Sequence, residues 1–339
     1  MDDITCSRSR RQMLGALGAL GGLGGTALLG AWPSLGHAQA ASNATRLLVG
    51  FPPGGTADVL ARALQTRLPH GETPLIVENR PGAGGRIAVG ELKNAPADGR
   101  TLMVSADPIL TIYPHVFPKL PYNTLADLVP VAPIASEPVG LCVGPMVPAS
   151  VRTLADFLAW CRQHPKEAVY TTAAAGTTMH FVGSQLEHAS QVDLLHVPHR
   201  GGAAAVQDVM GGQMASTVTS MSLAMPHLGS GRLRALAVAS PKRWKRLPEV
   251  PTFAESGFPA IRAEVYYGTY LRAGTPAAQV EQWHQAVSTV TRSAAMVAQL
   301  DQLSLDPMLL AQRDFAALVR ADLERWGPVV RASGYSADD

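Results

Sequence analysis

Apolar runs of strand length alternate with segments of helical apolar spacing along most of this chain. The run Leu47–Gly50 predicts a strand, and the apolar positions from Ala57 to Leu68 that follow it recur as one face of a helix. The alternation continues, with further strands predicted at Leu75–Glu78, Thr101–Val104, Ala168–Thr171, Asp193–Val197 and Leu233–Ala239. Helices are predicted near 87–93, 153–164 and 179–189, another helix is predicted to end near residue 210, and three helices are predicted over 276–333. This pattern predicts an α/β fold with largely parallel sheets.

Two long apolar segments interrupt the alternation. Leu128–Val143 contains several prolines and is predicted to be extended, and Glu264–Ala273 is a second segment able to carry the chain back. Two such crossings predict two lobes with a ligand cleft between them. We expect residues 41–139 and 265–339 to form the first lobe and residues 140–264 the second.

The segment Phe51–Asp58 (FPPGGTAD) joins the first strand to the first helix. Its prolines stiffen the connection and contribute no N–H, whereas Gly54 and Gly55 let the backbone approach a ligand closely. Thr56 is predicted to be the N-cap of the helix, whose first N–H groups lack partners within the helix and carry the positive end of its dipole. A strand end, a glycine turn and a helix start are typical of an anion site. The alternative is a capped turn without a ligand, and the paired prolines and glycines favour binding.

Further connections have the same form. Asn79–Arg86 (NRPGAGGR) leads from the second strand into a helix, but Ile87 stands where the dinucleotide-binding fingerprint requires its third glycine. Thr172–His180 (TAAAGTTMH) is a loop of small residues that enters a helix, and its hydroxyl and N–H groups repeat the anion-site pattern. Ser105 and Ala106 end a buried strand, at the edge where ligands of open α/β sheets collect.

Together these connections predict a polar, uncharged pocket of backbone N–H and hydroxyl groups supplied by both lobes. Such a pocket suits a carboxylate, because each hydrogen bond to a charged group contributes about 1.5–3 kcal/mol and each helix terminus roughly 0.3–1 kcal/mol. Asp107 is interpreted as a turn-capping residue before Pro108, outside the site. The candidate ligand-binding residues are Phe51, Pro53, Gly54, Gly55, Thr56, Asp58, Ser105, Ala106, Thr172, Gly176, Thr177, Thr178, His180, His199, Gly201 and Thr219.

The N-terminal segment has the features of an export signal. Ser9–Leu14 (SRRQML) matches a twin-arginine motif apart from Met13, an uncharged run rich in Gly, Ala and Leu follows, and Ala38–Ala40 (AQA) is typical of a cleavage site. We therefore expect residues 1–40 to be a twin-arginine signal peptide, the mature chain to begin at Ala41, and the protein to be periplasmic. An uncleaved membrane anchor is the alternative, which the many glycines and the cleavage triplet disfavour.

Composition and motifs exclude several classes of function. The chain has 339 residues, of which 47% are hydrophobic, and a formal net charge of +2 with acids and bases interspersed, so nothing indicates a nucleic acid or a membrane surface as partner. It lacks the nucleophile elbow of the α/β-hydrolases, the P-loop and the zinc-protease motif, so no catalytic residue is assigned. His196 and His199 lie three apart in a strand-to-loop segment without an acidic or Cys partner nearby, so we assign no metal and no cofactor. Cys142 and Cys161 remain after export, and the sequence leaves open whether they pair.

Five segments carry a further signal. They are Phe51–Asp58, Val77–Gly85 (VENRPGAGG), His196–Ala203 (HVPHRGGA), Leu233–Val238 (LRALAV) and Leu247–Gly257 (LPEVPTFAESG). In this order they resemble the solute-binding proteins of tripartite tricarboxylate transporters, the Bug-type receptors, and the resemblance extends over nearly all of the mature chain. It implies an α/β, two-lobed periplasmic binding protein fold that is similar to type II, with two mostly parallel sheets. In this fold the chain crosses between the lobes twice. It also implies that the first loop and the loop at Gly176 grip a ligand carboxylate, partly through water, as the lobes close.

Three places depart from the family pattern. His199 stands where the family usually has Tyr, and Arg86 stands where Asn is frequent. The segment Gly211–Ser220 (GGQMASTVTS) lacks the Asp residues that are common after Gly-Gln in the family. Because an α-ammonium group requires a nearby carboxylate, the last departure predicts a dicarboxylate or aromatic carboxylate as ligand, in preference to an amino acid.

Two functions fit this resemblance. One is a monomeric receptor, without catalysis, that passes a small organic anion to the membrane subunits of a tripartite transporter. The other is a sensory binding protein that presents its ligand-bound form to a membrane sensor kinase. Both need only a cleft that closes, so the sequence does not separate them. A secreted hydrolase, the third class considered, requires a nucleophile paired with a base, and we find no such pair in the sequence.

Overall fold

Strands and helices alternate along the part of the chain that the computed structural model describes, residues 44–69 and 73–337. The predicted signal peptide lies outside the described residues. The strands are β1 (Thr45–Val49), β2 (Leu75–Asn79), β3 (Thr101–Ala106), β4 (Leu128–Val143), β5 (Val169–Thr172), β6 (Leu195–Pro198), β7 (Ser216–Ser220), β8 (Arg234–Val238), β9 (Glu264–Arg272) and β10 (Asp306–Pro307). The helices are α1 (Thr56–Gln65), α2 (Arg86–Asn94), α3 (Pro108–Thr111), α4 (Tyr113–Val116), α5 (Thr124–Asp127), α6 (Leu154–Gln163), α7 (Thr178–Ser190), α8 (Gly202–Met210), α9 (Met221–Leu228), α10 (Ala277–Arg292), α11 (Ala294–Gln302) and α12 (Gln312–Ser333).

The two long apolar segments form two long strands that pair with each other. β9 runs antiparallel to β4 from Leu128 to Pro138, so the predicted extended segment and its return are both confirmed. The register of this pairing shifts just after Pro130 and just after Pro133. Proline has no N–H to donate to a neighbouring strand, and such positions are therefore accommodated by bulges.

Beyond Pro138, strand β4 continues into a second set of strands. Val139–Val143 pairs antiparallel with β7, and Gly140–Val143 pairs antiparallel with β8. On one side of β4 the strand order is β2-β1-β3-β9, and on the other it is β7-β5-β6. The neighbours β1–β2, β1–β3, β5–β6 and β5–β7 are parallel, as expected for strands joined through helices. The long strands β4 and β9 are antiparallel to their neighbours because they carry the chain across between the two sets.

Helix packing follows the apolar spacing of the sequence. α1 buries the predicted face, on which Leu60 and Leu64 are fully buried. Burial of each such side chain contributes about 1.5–3 kcal/mol. The last helix, α12, packs against β4, α3 and α7, and its buried Trp326 lies beside Phe181 of α7. α12 therefore contacts helices that follow strands of both sets.

The start of α1 differs from the prediction. Gly55, in an extended conformation with φ −74° and ψ 163°, is the N-cap, and Thr56 is the first helical residue. The prediction that Thr56 caps this helix is therefore wrong. No side chain makes a capping hydrogen bond at this helix start, and Thr56 lines the same pocket as Tyr267 of β9.

Cys142 and Cys161 are both buried free thiols and are not paired with each other. Burial raises the pKa of each thiol to about 12. Because the thiolate is the reactive form of cysteine, both side chains act as small apolar residues of the interior.

Candidate functional site

A pocket of about 370 Å³ lies at the carboxyl ends of β1 and β3. This is the edge of the sheet at which ligands of open α/β folds bind. None of the described residues that line the pocket is a lysine or an arginine, and the positive charge in its wall is the partial charge at the N-terminus of α1. The lining residues are Phe51, Pro52, Pro53, Gly55, Thr56 and Ala57 of the β1–α1 connection, Ala106 at the end of β3, and Tyr267 of β9.

Asp58 holds the β1–α1 connection in shape. Its Oδ2 accepts hydrogen bonds from the backbone N–H of Gly54 and from Nε of Arg62, both at 2.9 Å. Its Oδ1 accepts one from Nδ2 of Asn79 at 2.9 Å, and the same Asn79 group donates to the carbonyl of Phe51 at 3.0 Å. Burial works to raise the pKa of Asp58, but the three hydrogen bonds, led by the one from Arg62, outweigh it and hold this pKa below its usual value. The carboxylate of Asp58 is thus already engaged by three donors that belong to the loop and its surroundings.

The two glycine-rich loops that follow β1 and β2 touch each other behind the pocket. A side chain at Gly50 would place its Cβ 2.8 Å from the Cα of Gly85, which is closer than real Cβ contacts come. Gly85 has a φ of 91°, and a Cβ there would collide with Ile109 and lie 3.5 Å from the ring of Phe51. The glycines of the second loop therefore let it pack beneath Phe51, and close packing explains them without a bound phosphate.

A chain of hydrogen bonds runs from the pocket wall to the start of α9. Tyr267 lines the pocket, and its Oη donates to Oε1 of Glu137 at 3.1 Å. Oε2 of Glu137 accepts a hydrogen bond from the backbone N–H of Ser222 at 3.2 Å. Glu137 is only 2% exposed, and this burial raises its pKa although its hydrogen-bond donors oppose the effect. Glu137 of β4 therefore joins β9 to the point where β7 ends and α9 begins.

The loop after β5 is closed on itself by polar contacts. Thr177 is the N-cap of α7, where its hydroxyl accepts from the N–H of His180 at 3.4 Å and donates to the carbonyl of Ala174 at 2.9 Å. The N–H of Gly176, at a φ of 72°, donates to Nδ1 of His180 at 3.1 Å. Because Nδ1 accepts this bond, His180 is neutral, and burial lowers its pKa to about 4. Thr178 is fully buried, and no described residue hydrogen-bonds its hydroxyl.

The histidines of this region form stacks and pairs. The rings of His180 and His196 lie 4.1 Å apart between centroids at an angle of 14°, and Nε2 of His196 is 2.8 Å from the hydroxyl of Thr172. Burial, with the repulsion of His180, lowers the pKa of His196 to about 3. His199 faces another way, with its Nε2 2.7 Å from Oδ2 of Asp208. Within residues 44–69 and 73–337, no group of three or more His, Cys, Asp or Glu side chains is arranged to hold a metal ion.

The sixteen predicted site residues fall into two groups. Those of the first group line the pocket or lie directly beside it: Phe51, Pro53, Gly55, Thr56 and Ala106 in the wall, and Gly54, Asp58 and Ser105 beside them. Those of the second group surround the carboxyl ends of β5, β6 and β7 and do not line this pocket: Thr172, Gly176, Thr177, Thr178, His180, His199, Gly201 and Thr219. The second group is internally joined, since the N–H of His199 donates to the carbonyl of Thr172 and that of Gly201 to the carbonyl of Ala173, both at 2.9 Å.

Asp107 lies outside the lining of the pocket. Its Oδ1 accepts from the backbone N–H of Tyr266 at 3.1 Å, and its Oδ2 accepts from the hydroxyl of Thr111 at 3.2 Å. Asp107 occupies the N-cap position of α3 and lies outside the pocket, as interpreted from the sequence, but its side chain makes no capping hydrogen bond to the helix. The carboxyl group instead ties β9 to the end of α3, and burial raises its pKa well above the usual value.

Sequence reasoning missed three residues that build the site: Asn79, Tyr267 and Glu137. Asn79 is part of the NRPGAGGR segment, but local pattern gives no sign of its role, because its partner is a loop 28 residues away. Tyr267 lies in the apolar return segment. Glu137 had a signal that was available, since it is the one charged residue between Leu128 and Val143, where an acid in an apolar run requires a partner.

A larger groove of about 740 Å³ lies beside Thr45, Gly99 and Trp283. β1 begins at Thr45 and β3 at Thr101, so this groove is at the amino ends of the parallel strands. Ligands of open α/β sheets bind at the opposite, carboxyl ends. The smaller pocket is therefore the candidate solute site.

Comparison with known proteins gives consistent matches over most of the chain. The model of the "Tripartite tricarboxylate transporter family receptor" family matches residues 57–335. Protein BugT of Bordetella pertussis is 30% identical over 291 residues, which cover 85% of this chain and 89% of BugT. A solved structure of an R. palustris protein with adipate is 30% identical with a TM-score of 0.75, covering 86% of this chain and 98% of that one. The structure of MatC from Rhodopseudomonas palustris with bound malate is 28% identical with a TM-score of 0.71, covering 85% of this chain and 98% of that one.

These matches confirm the predicted α/β periplasmic binding protein fold. They also agree with the five segments on which the resemblance rests, four of which lie wholly within the matched residues and the first of which overlaps their start. The family is one of solute-binding receptors. The chain belongs to the tripartite tricarboxylate transporter receptor family.

Proposed function

We propose that this protein binds a small organic dicarboxylate in the pocket beside Phe51 and Thr56 and delivers it to the membrane subunits of a tripartite transporter. The observation that carries the proposal is the pocket itself, which has the N-terminus of α1 in its wall and no lysine or arginine among its described lining residues. Such a site holds a carboxylate by backbone N–H groups and the helix dipole.

The size of the pocket supports a ligand of a few carbon atoms. About 370 Å³ lies near the lower end of the volumes of small-molecule sites. The apolar walls formed by Phe51, Pro52 and Pro53 suit the hydrocarbon part of such an acid. Relatives whose structures contain adipate and malate support the same ligand class.

The arrangement of Glu137 favours an acid without an ammonium group. Glu137 is a buried carboxylate behind Tyr267 of the pocket wall, and its oxygens are already engaged by the hydroxyl of Tyr267 and the N–H of Ser222. An ammonium group would have to displace one of these donors. A dicarboxylate or aromatic carboxylate makes no such demand.

The two groups of site residues fit a receptor with two lobes. In this proposal residues 41–139 and 265–339 carry the pocket, and residues 140–264 carry the second group around Gly176 and Thr219. Closure brings the second group onto the ligand, and the ligand shifts this equilibrium only as far as it binds the closed form better. The receptor acts as a monomer in this scheme.

A panel of acids tests the proposal directly. Thermal shift and calorimetry on ligand-stripped protein compare adipate, malate, succinate and phthalate with glutamate and aspartate. A dicarboxylate at a hundred times its dissociation constant stabilises the fold by about 2.7 kcal/mol, which corresponds to a rise in Tm on the order of 5 °C. Tight binding of aspartate or glutamate, with none of the four acids, would overturn the assignment of the ligand class.

Periplasmic location is part of the same proposal and rests on the segment with Arg10 and Arg11. In the described part of the chain, no helix combines the length and apolar character needed to cross a membrane. Replacement of both arginines by Lys is expected to leave unprocessed precursor inside the cell. Normal periplasmic amounts of chain beginning at Ala41 would contradict the twin-arginine route.

A further inference from the structure

The chain leaves α12 through a turn that is held by hydrogen bonds. The helix ends at Ser333, and Gly334 follows with a left-handed φ of 67°. The hydroxyl of Ser333 donates to the carbonyl of Val330 at 2.7 Å and accepts the backbone N–H of Tyr335 at 3.2 Å. The C-terminal segment, residues 334–337, therefore leaves the helix in a fixed direction.

The side chain of Tyr335 packs on the start of α7. Its ring stands edge-on to that of His180, with 4.9 Å between centroids and an angle of 89°, and its centroid lies 6.2 Å from that of Phe181. Contacts between ring edges and ring faces are directional, so they fix the position of a ring as well as attract it. The half-buried Tyr335 thus covers the imidazole whose Nδ1 accepts the N–H of Gly176.

Gly176 is enclosed between two parts of the chain that are remote from it in sequence. A Cβ at Gly176 would lie 3.1 Å from Cε1 of Tyr335 and 3.3 Å from Cγ1 of Val116 on α4, so both side chains lie against the backbone of the loop. The N–H of Ala337 donates to the carbonyl of Val116 at 3.0 Å, which ties the C-terminal segment to α4. The loop after β5, α4 and the C-terminal segment therefore meet at one point.

These contacts join the two lobes of the proposed receptor. Val116 belongs to residues 41–139, and Gly176 and His180 belong to residues 140–264. The C-terminal segment contacts both, since its backbone is bonded to α4 and its tyrosine ring packs on the start of α7. The place of the loop relative to α4 is therefore set by the ring of Tyr335.

We propose that Tyr335 is a positioning residue for ligand binding, which holds the loop at Gly176 beside α4 in the arrangement in which this loop meets the ligand. The inference rests on the proposed function. Tyr335 acts through Gly176 and His180, and all of these contacts form without a ligand. The binding-competent arrangement is thus already populated in the free protein. This raises the apparent affinity, because the apparent dissociation constant equals the intrinsic one divided by the populated fraction.

The experiment compares Tyr335→Ala with Tyr335→Phe by calorimetric titration with adipate at constant pH. Tyr335→Ala removes the ring, so the populated fraction and with it the adipate affinity are expected to fall by at least about fivefold. Tyr335→Phe keeps the ring, and its affinity is expected to stay within about twofold of that of the parent. Parent-like affinity in Tyr335→Ala, or an equal loss in the two variants, would overturn the inference.

A nuclear magnetic resonance titration of His180 in the ligand-free protein tests the contact itself. His180 is 7% exposed and burial lowers its pKa to about 4, so in the parent its ring signals are expected to move little between about pH 5 and 8. In Tyr335→Ala water reaches this ring, and the pKa of His180 is expected to rise towards the value of about 6.5 of a free histidine. Tyr335→Phe is expected to restore the behaviour of the parent. Signals of His180 that titrate alike in Tyr335→Ala and the parent would overturn the role of the ring.

Trp283→Ala is the matched control. Trp283 is a half-buried aromatic residue of α10, lies in the groove at the amino ends of β1 and β3, and also packs on the core. The variant is expected to lose stability but to keep the adipate affinity and the His180 signals of the parent. An affinity loss equal to that of Tyr335→Ala would overturn the inference, because lost stability alone would then explain both.

Two outcomes separate this inference from the proposed function. If the parent binds adipate and Tyr335→Ala binds it equally well, the inference is overturned and the proposed function stands. If the parent binds neither adipate nor any other acid of the panel, the proposed function is overturned and the inference with it.

Discussion

The imidazole ring of His196 lies flat on that of His180, with 4.1 Å between centroids, in the interior behind the loop after β5. His180 accepts the N–H of Gly176 at Nδ1, and the second ring is held by the hydroxyl of Thr172. The conformation of the loop backbone is thus supported by two neutral histidine side chains.

Acidification is expected to destabilise the protein through this stack. Burial holds the pKa of His180 at about 4 and that of His196 at about 3, both below the value of about 6.5 of a free histidine. The unfolded state therefore binds more protons, so stability is complete above about pH 6.5 and is lost as the pH falls towards 4. Between pH 7 and 5 the free energy of unfolding of the parent should fall by on the order of 1 kcal/mol more than that of His196→Gln. Denaturant unfolding at the two pH values measures this difference. His188→Gln, at an exposed position of α7, serves as the control, and a loss in His196→Gln equal to that of the parent would count against the stack.

Removal of the Asp58 carboxylate is expected to loosen the first loop. Asp58→Ala leaves the N–H of Gly54 and one of the two amide N–H groups of Asn79 without an acceptor, and such a loss costs about 1–3 kcal/mol of folding free energy. Urea unfolding measures this cost, and adipate affinity is expected to fall with it. Asp314→Ala, at the exposed start of α12, is the matched control and should cost less than about 0.5 kcal/mol. Equal costs for the two variants would contradict the role of Asp58.

Gly55→Val is expected to block the pocket without preventing folding. The nearest atom to a Cβ at Gly55 is the carbonyl oxygen of Pro52 at 3.8 Å, so the fold has room for the new side chain, which enters the pocket instead. The loss of glycine at this N-cap costs about 1 kcal/mol of stability, whereas adipate affinity should fall at least tenfold. Gly229→Val, where nothing lies within 4 Å of an added Cβ, is the control and should bind as the parent does. Unchanged affinity in Gly55→Val would place the ligand elsewhere.

Thr177→Val tests the second group of site residues. The variant removes the hydroxyl that caps α7, so it should lower stability by about 0.5–2 kcal/mol. If the loop also meets the ligand in the closed form, adipate affinity should fall as well, and Thr177→Ser should restore both quantities. Calorimetry and thermal unfolding on the same three proteins separate the two effects. A stability loss with full affinity would limit Thr177 to a structural role.

The elements of this protein are determined by local patterns in its sequence. Apolar spacing alone predicts β1, α1 and the crossing strand β4, whose predicted bounds at Leu128 and Val143 are those observed. The glycine-rich connections are also predicted by local sequence, because the conformation of a turn depends on residues that are neighbours in the chain. Most of the loop Phe51–Asp58 lies in the wall of the candidate pocket.

Tertiary structure decided how the site is supported. Tyr267 and Glu137 are 130 residues apart, and their hydrogen bond exists only because β4 and β9 pair in one register. The same holds for Asp58, whose carboxylate accepts a hydrogen bond from Asn79 of the neighbouring strand β2. Contacts of this kind depend on which strands become neighbours, and periodicity carries no information about that choice. The chain sequence thus determines where the loops lie, and the sheet order determines which side chains meet behind them.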